Sequence, residues 1–241
     1  MPSWSIHLSV AGKVYEKLHK RYVWLEENEF LFGNILPDLF EGHVVPGLSC
    51  VVDDYSTHFP KQQTIKGVTI PIPDLKRFLE QYQDKLKNSV IFGYYCHLFT
   101  DCFWNRFFFE NTLREKRKKD HFPQVILQTG EIRELPFQEV NAMKQNDFRI
   151  FCQHLSQTET IIHPNFSNKI LDEVKQIKEF NFTKKDIEKT IDFIHKNLCD
   201  FEKTSFTEYL LFSKEKMNQI YEKGILSFLN EVEQVVKDDK K

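Results

Sequence analysis

His97 and Asp101 stand four residues apart in the most apolar stretch of the chain, which carries Val90, Ile91, Phe92, Tyr94, Tyr95, Leu98, Phe99, Phe103 and Trp104. On a helix that spacing puts both side chains on one face. An imidazole and a carboxylate placed there offer nitrogen and oxygen donors to one divalent cation. The plainer alternative is a buried His–Asp couple whose members satisfy each other. In both readings something must compensate the carboxylate, because burying it unpaired is costly.

Two further segments carry donors of the same kind. Leu36-Pro37-Asp38 ends an apolar run, and the residue before a proline is pushed out of the α region, so Asp38 is expected on a turn or at a helix start. Ser56-Thr57-His58-Phe59 places an imidazole at a helix start or turn. Asp38, His58, His97 and Asp101 together form a hard-to-borderline donor set suited to Zn2+, Mn2+ or Fe2+ rather than Ca2+ or Mg2+. His7 is a candidate fifth ligand.

These residues need a scaffold, and the apolar periodicity predicts a helical one. Ile6, Val10, Val14, Leu18 and Tyr22 recur at four-residue steps and predict an amphipathic helix over 5–25. Residues 41–73 read as irregular, with Pro46, Gly47, Pro60, Gly67, Pro71 and Pro73 as breakers. Helix is expected over 75–86 behind Asp74, and over 88–109, where apolar residues on every side place the helix at the centre of a bundle. A short hairpin is expected within 124–135. Further helices are expected over 140–155, 167–177, 184–199 behind a Thr183/Asp186 cap, and 205–236 with a break at Gly224. Neither a repeat nor a linker interrupts the chain. One all-α domain over 1–241 is expected, with the metal-binding half at about 1–109 and a C-terminal helical part at about 110–241.

Composition narrows the function. A chain of 241 residues with 41% hydrophobic and 28% charged residues is globular rather than disordered. Its 33 Lys+Arg against 35 Asp+Glu give no positive field, so nucleic acid is not an expected partner. The run 89–99 is too short to span a bilayer, which predicts no transmembrane segment. Five cysteines form an odd set without a CxxC pair, which argues against a disulfide framework; with charged residues throughout 1–20, the expected location is the cytoplasm.

The order of the motifs resembles a known family. Ser-Trp-Ser-Ile-His7, then Gly33-Asn34-Ile35-Leu36-Pro37-Asp38, then Ser56-Thr57-His58-Phe59, then Phe92-Gly93-Tyr94-Tyr95-Cys96-His97 through Asp101, is similar to the bacterial zinc-dependent phospholipase C family, its smaller unsecreted members above all. The resemblance covers about 1–109. It implies an all-α fold of that type, a zinc cluster between helices and hydrolysis of phosphoester bonds. Carried over by position, it implies that Asp38, His58, His97 and Asp101 hold one zinc, and that Asp101 bridges to a neighbouring ion held by His7. Two departures reduce the metal set. Trp4 is preceded by Met1-Pro2-Ser3, so the N-terminal amino ligand of the secreted members is missing, and Phe103 to Phe109 offers no counterpart of their next histidine. One or two ions are therefore expected, Zn2+ first, with Mn2+ or Fe2+ compatible.

The expected function is a phospholipase C-like hydrolase acting through a metal-activated water on a phosphoester small molecule or a phospholipid headgroup. Asp38, or a nearby Asp53 or Asp54, is the candidate general base, although Asp53-Asp54 reads more often as a polar turn or helix cap than as a catalytic pair. His43, and Arg117 within the basic run from Arg114 to Lys119, are candidate substrate contacts. His121, His154 and His163 have no recognisable spacing and read as surface or structural residues. Two alternatives stand beside this reading: an HD-type nucleotide phosphohydrolase, disfavoured because no adjacent His-Asp dyad occurs, and a non-catalytic, metal-stabilised helical interaction protein. A closed four-ligand shell would favour the last, and an open position in a cleft would favour an enzyme.

Overall fold

A computed structural model describes residues 2–39, 44–115, 121–201 and 207–236. The architecture is all-α, with two small antiparallel hairpins beside the helices. The helix α1 (Trp4–Leu18) buries Ile6, Val10, Val14 and Leu18, the stripe that the four-residue steps predict, but it stops short of residue 25. The His19 ring and backbone N–H both meet the Tyr15 carbonyl, and the chain continues as turns that still bury Tyr22 and Leu25.

The helix α2 (Glu27–Leu39) corrects the expectation for Asp38. Pro37 lies inside the helix, and Asp38 belongs to its last turn rather than to a turn or helix start. An interior proline costs about 3 kcal/mol in lost hydrogen bonding and crowding. Burial of Phe30, Leu31, Phe32, Ile35, Leu36 and Leu39 offsets that local penalty.

Within 41–73, the expectation of irregular backbone is also corrected. A short α3 (Asp54–His58) is capped by the Asp53 side chain, which accepts from the Ser56 N–H at 3.0 Å. It is followed by a hairpin of β1 (Pro60–Ile65) and β2 (Val68–Pro73), paired from Pro60↔Pro73 to Ile65↔Val68. Lys66 and Gly67 both have positive φ, as a two-residue primed turn requires. Prolines usually argue against strands, but each strand of an isolated pair is an edge, where a missing N–H can face away from the ladder.

The helices α4 (Leu75–Tyr82) and α5 (Ser89–Thr112) follow; α5 starts at Asn88, whose side chain accepts from the Ile91 N–H. Apolar on all sides as expected, α5 is packed by α1, α2, α4, α7 (Asn168–Val174), α9 (Lys214–Val235) and the first hairpin. The expected second hairpin is present as β3 (Gln124–Ile126) and β4 (Ile132–Glu134). The helix α6 (Phe137–Thr158) then packs on α1. The helix α8 (Lys184–Phe201) opens with the predicted reciprocal cap, the Thr183 N–H on Asp186 Oδ2 at 2.9 Å and the Asp186 N–H on Thr183 Oγ1 at 3.2 Å.

The expected break at Gly224 is absent, and α9 begins later than expected, at Lys214 behind a Ser213 cap. The segment before it is held by Asp147 of α6. Its carboxylate accepts the backbone N–H groups of Leu210, Leu211 and Phe212 at 2.7, 2.9 and 2.9 Å.

Candidate metal centre

The centre is assembled by a close crossing of α2 on α5. A Cβ on Gly33 would lie 2.0 Å from the Val90 carbonyl oxygen, and one on Gly93 would lie 2.1 Å from that of Phe30, so only glycine fits at either position. This approach brings the Asn34 carbonyl within 2.7 Å of His97 Nδ1. With Nδ1–H donating there, the Nε2 lone pair of His97 faces the space between the helices. The Asn34 carboxamide, oriented to satisfy both its ends, donates to the His7 carbonyl at 2.7 Å and ties α1 to the same crossing.

His58 arrives from α3. The Tyr94 hydroxyl of α5 donates to the Thr57 carbonyl and fixes the end of that helix. Phe59 ends it in the left-handed region at φ 48°, a conformation costing about 1–2 kcal/mol for a residue with a side chain. The ring is buried against Phe78 and Tyr94, which holds the turn. His58 Nδ1 lies 2.8 Å from Asp54 Oδ1 and 2.9 Å from Thr57 Oγ1. Its donor is thus engaged on that side, and Nε2 is turned inward.

Four donor atoms converge. His58 Nε2 is 3.1 Å from His97 Nε2, 3.2 Å from Asp38 Oδ1 and 3.5 Å from Asp101 Oδ2. His97 Nε2 is 3.6 Å from Asp38 Oδ1 and 3.4 Å from Asp101 Oδ2. Ligands of a tetrahedral zinc at ordinary bond lengths lie about 3.3 Å from one another, and the separations of both imidazoles from each other and from the two carboxylates are of that size. The chemistry agrees with the spacing. Two imidazole lone pairs face each other at contact distance, a repulsive arrangement unless a proton or a cation stands between them. Asp38 Oδ1 and both Asp101 oxygens are buried without a hydrogen bond among the described residues. The donor set therefore fits a divalent cation.

His7 adds an adjoining position. Its ring stacks on His97 with centroids 4.0 Å apart, and its Nε2 lies 3.3 Å from Asp101 Oδ1, while Oδ2 is the oxygen that meets His58 and His97. The second Asp38 oxygen, Oδ2, accepts the Trp4 indole N–H at 3.1 Å. Burial, then the neighbouring His97, hold His7 below its ordinary pKa and favour the neutral form. For His58, burial opposes the charge but the carboxylates of Asp38 and Asp54 outweigh it, so its pKa lies well above the ordinary value. Burial opposes ionisation of Asp101 too, yet His97 and His7 hold it well below the carboxylate range.

A cavity of about 260 Å³ opens beside the centre, lined by His58, Asp54, Asn105, Asn141 and Lys144 at its polar part and by Pro60, Ile70, Ile72, Phe109 and Phe137 elsewhere. Asn105 and Lys144 were not expected from the sequence. The available signal was Lys144 itself, a lysine on the α6 stripe that otherwise buries Val140, Phe148, Phe151 and Leu155. His43 and Arg117 lie outside the described residues. His121, His154 and His163 belong to none of the donor groups among the described residues. His163 instead packs its ring against His195 at 5.5 Å.

Three imidazoles and two carboxylates are thus buried together among the helices, a donor set of the kind that could hold a metal ion. The model of the zinc-dependent phospholipase C family matches residues 6–125, about half of the chain, and the chain belongs to that family. The matched span contains His7, Asp38, His58, His97 and Asp101. No curated protein and no solved structure gives a significant match. Among the described residues, no helix is long and apolar enough to cross a membrane.

Proposed function

We propose that the chain is a zinc-dependent phosphoester hydrolase in which Asp38, His58, His97 and Asp101 hold one ion and Asp101 bridges to a second position served by His7. The observation that carries this reading is that His58 Nε2 and His97 Nε2 lie 3.1 Å apart and each stands 3.2–3.6 Å from an oxygen of Asp38 and an oxygen of Asp101, beside a cavity. Zinc bound there supplies a water of lowered pKa and polarises a phosphoryl oxygen.

The remaining work falls to the chain itself. The Asn34 carbonyl and the Asp54 carboxylate hold His97 and His58 by their Nδ1 atoms, which keeps each Nε2 turned to the centre. Trp4 fixes Asp38 by its second oxygen. Of the candidate bases, Asp38 has one oxygen on Trp4 and the other among the imidazoles. Asp54 lines the cavity with a side chain 61% exposed, which supports it as the carboxylate that accepts a proton from a cavity water. The Pro60, Ile70, Ile72, Phe109 and Phe137 walls take the apolar part of the ester.

The non-catalytic reading predicts a closed four-ligand shell without access. The cavity against His58 supports the enzyme instead. Elemental analysis of protein purified without added metal tests the proposal, run beside phosphomonoester, phosphodiester and phosphocholine substrates with and without chelator. Stoichiometric zinc and chelator-sensitive turnover are expected. Absence of both would leave His97 and Asp101 as a structural core pair.

A further inference from the structure

The polar part of the cavity contains a cation that the metal-binding residues do not account for. Lys144 is only 4% exposed, although it lines the cavity. Its Nζ donates to Asn105 Oδ1 at 2.9 Å and lies 5.1–5.9 Å from the ring centres of Phe108, Phe109 and Phe148. An ammonium has three donors and no acceptor. Among the described residues it meets one neutral acceptor and forms no ion pair.

Such a charge is costly to bury, and burial lowers the lysine's pKa to about 8 despite the opposing field of Asp101. Asn105 is built to hold it. The Asn105 Nδ2 group donates to the Asp101 carbonyl at 2.9 Å, one turn back on α5, and this orientation leaves Oδ1 for the ammonium. A carbonyl cannot donate and an ammonium cannot accept, so the carboxamide has one sensible orientation. The result is a fixed positive group, partnered by aromatic rings and one amide, on the wall that also carries His58.

We propose that Lys144 is a substrate-binding residue that takes a non-bridging phosphoryl oxygen of the phosphoester in this cavity, with Asn105 as its positioning partner. This rests on the reading of the centre as a phosphoester site. Lys144 lies outside the span matched by the family, so the assignment comes from the geometry of this chain. The ligand chemistry it selects is an anionic phosphoryl group with an apolar alcohol, the first against Lys144 and the second against the Pro60, Ile70 and Phe137 wall.

The test uses the full chain loaded with zinc and inorganic phosphate as the probe, with affinity read by calorimetry and zinc content by elemental analysis. Lys144→Met keeps the unbranched stem, and Lys144→Gln serves if the Met variant does not fold. A charge-assisted hydrogen bond of this kind corresponds to a loss of about 10-fold to 100-fold in phosphate affinity, with zinc content unchanged. Wild-type phosphate affinity in a folded variant would overturn the role of Lys144 and leave the centre untouched. Failure of the zinc-loaded wild-type protein to bind phosphate would overturn the phosphoester reading and the proposal with it.

Discussion

Gly33 packs against Val90 backbone to backbone, so closely that a Cβ would lie 2.0 Å from the Val90 carbonyl oxygen, and Gly93 makes the reciprocal approach to Phe30. The same crossing sets the distance from Asn34 to His97. A methyl group at either glycine must push α2 from α5. We expect Gly33→Ala and Gly93→Ala each to cost about 3 kcal/mol or more, as overpacking of a rigid contact does, and to lower zinc content. Chemical denaturation and elemental analysis check this; wild-type values in both would show that the crossing tolerates separation.

His97→Ala and Asp101→Ala are each expected to remove most bound metal, since each removes a donor from the four-atom cluster. His7→Ala should leave the first ion and lower the stoichiometry only at the adjoining position. Asp54→Asn should keep the ion but weaken its binding about 10-fold to 100-fold, the usual effect of an orienting partner. Full metal content in both His97→Ala and Asp101→Ala would sink the assignment.

Zinc uptake near neutral pH should release about one proton, because His58 is held protonated by Asp38 and Asp54 and must give up that proton to bind. Calorimetry in buffers of different ionisation enthalpy measures it. The linkage has a defined sign. The contribution of protonated His58 to metal-free stability is fully present below its unfolded pKa of about 6.5 and is lost as pH rises through the higher folded value. A metal-free protein that gains stability over that range, relative to His58→Ala, would contradict the assignment.

Lys144 gives the opposite slope. Its folded pKa is about 8 against an ordinary 10.5, so the unfolded chain binds the proton more tightly. Stability should therefore rise with pH across that window, by an amount on the order of 3 kcal/mol for a shift of this size. The comparison is wild type against Lys144→Met, in which the tyrosines that titrate at higher pH cancel. Parallel curves for the two proteins would refute the buried charge.

Asp147 tests the C-terminal packing. Removal of its carboxylate leaves the Leu210, Leu211 and Phe212 N–H groups without their acceptor. Asp147→Ala should lose about 3 kcal/mol or more of stability in urea unfolding, with Asp147→Asn losing less because one acceptor oxygen remains. An unchanged midpoint would show that water replaces the carboxylate.

His97 and Asp101 were legible as a pair because an i, i+4 spacing in an apolar helix fixes a shared face before any tertiary contact forms. The order of the motifs made Asp38, His58 and His7 legible as their companions. Asn34 was not legible as the partner of His97, because it acts through a backbone carbonyl that every residue carries. The helix through Pro37 was hidden by a local rule that tertiary burial overrides. The hairpin at Pro60–Ile65 and Val68–Pro73 was hidden by prolines that an edge strand tolerates.

By itself, the sequence determined which donors exist, which of them share a helix face and that the scaffold is helical, since these follow from residue type and short-range periodicity. Tertiary structure alone decided that Asp38, His58 and His97 meet within 3.6 Å, that Trp4 holds Asp38, and that Lys144 stands in a cavity with His58. Those relationships join residues far apart in the chain, and their distances depend on how closely two helices can approach, which at Gly33 and Gly93 is a matter of a single missing methyl group.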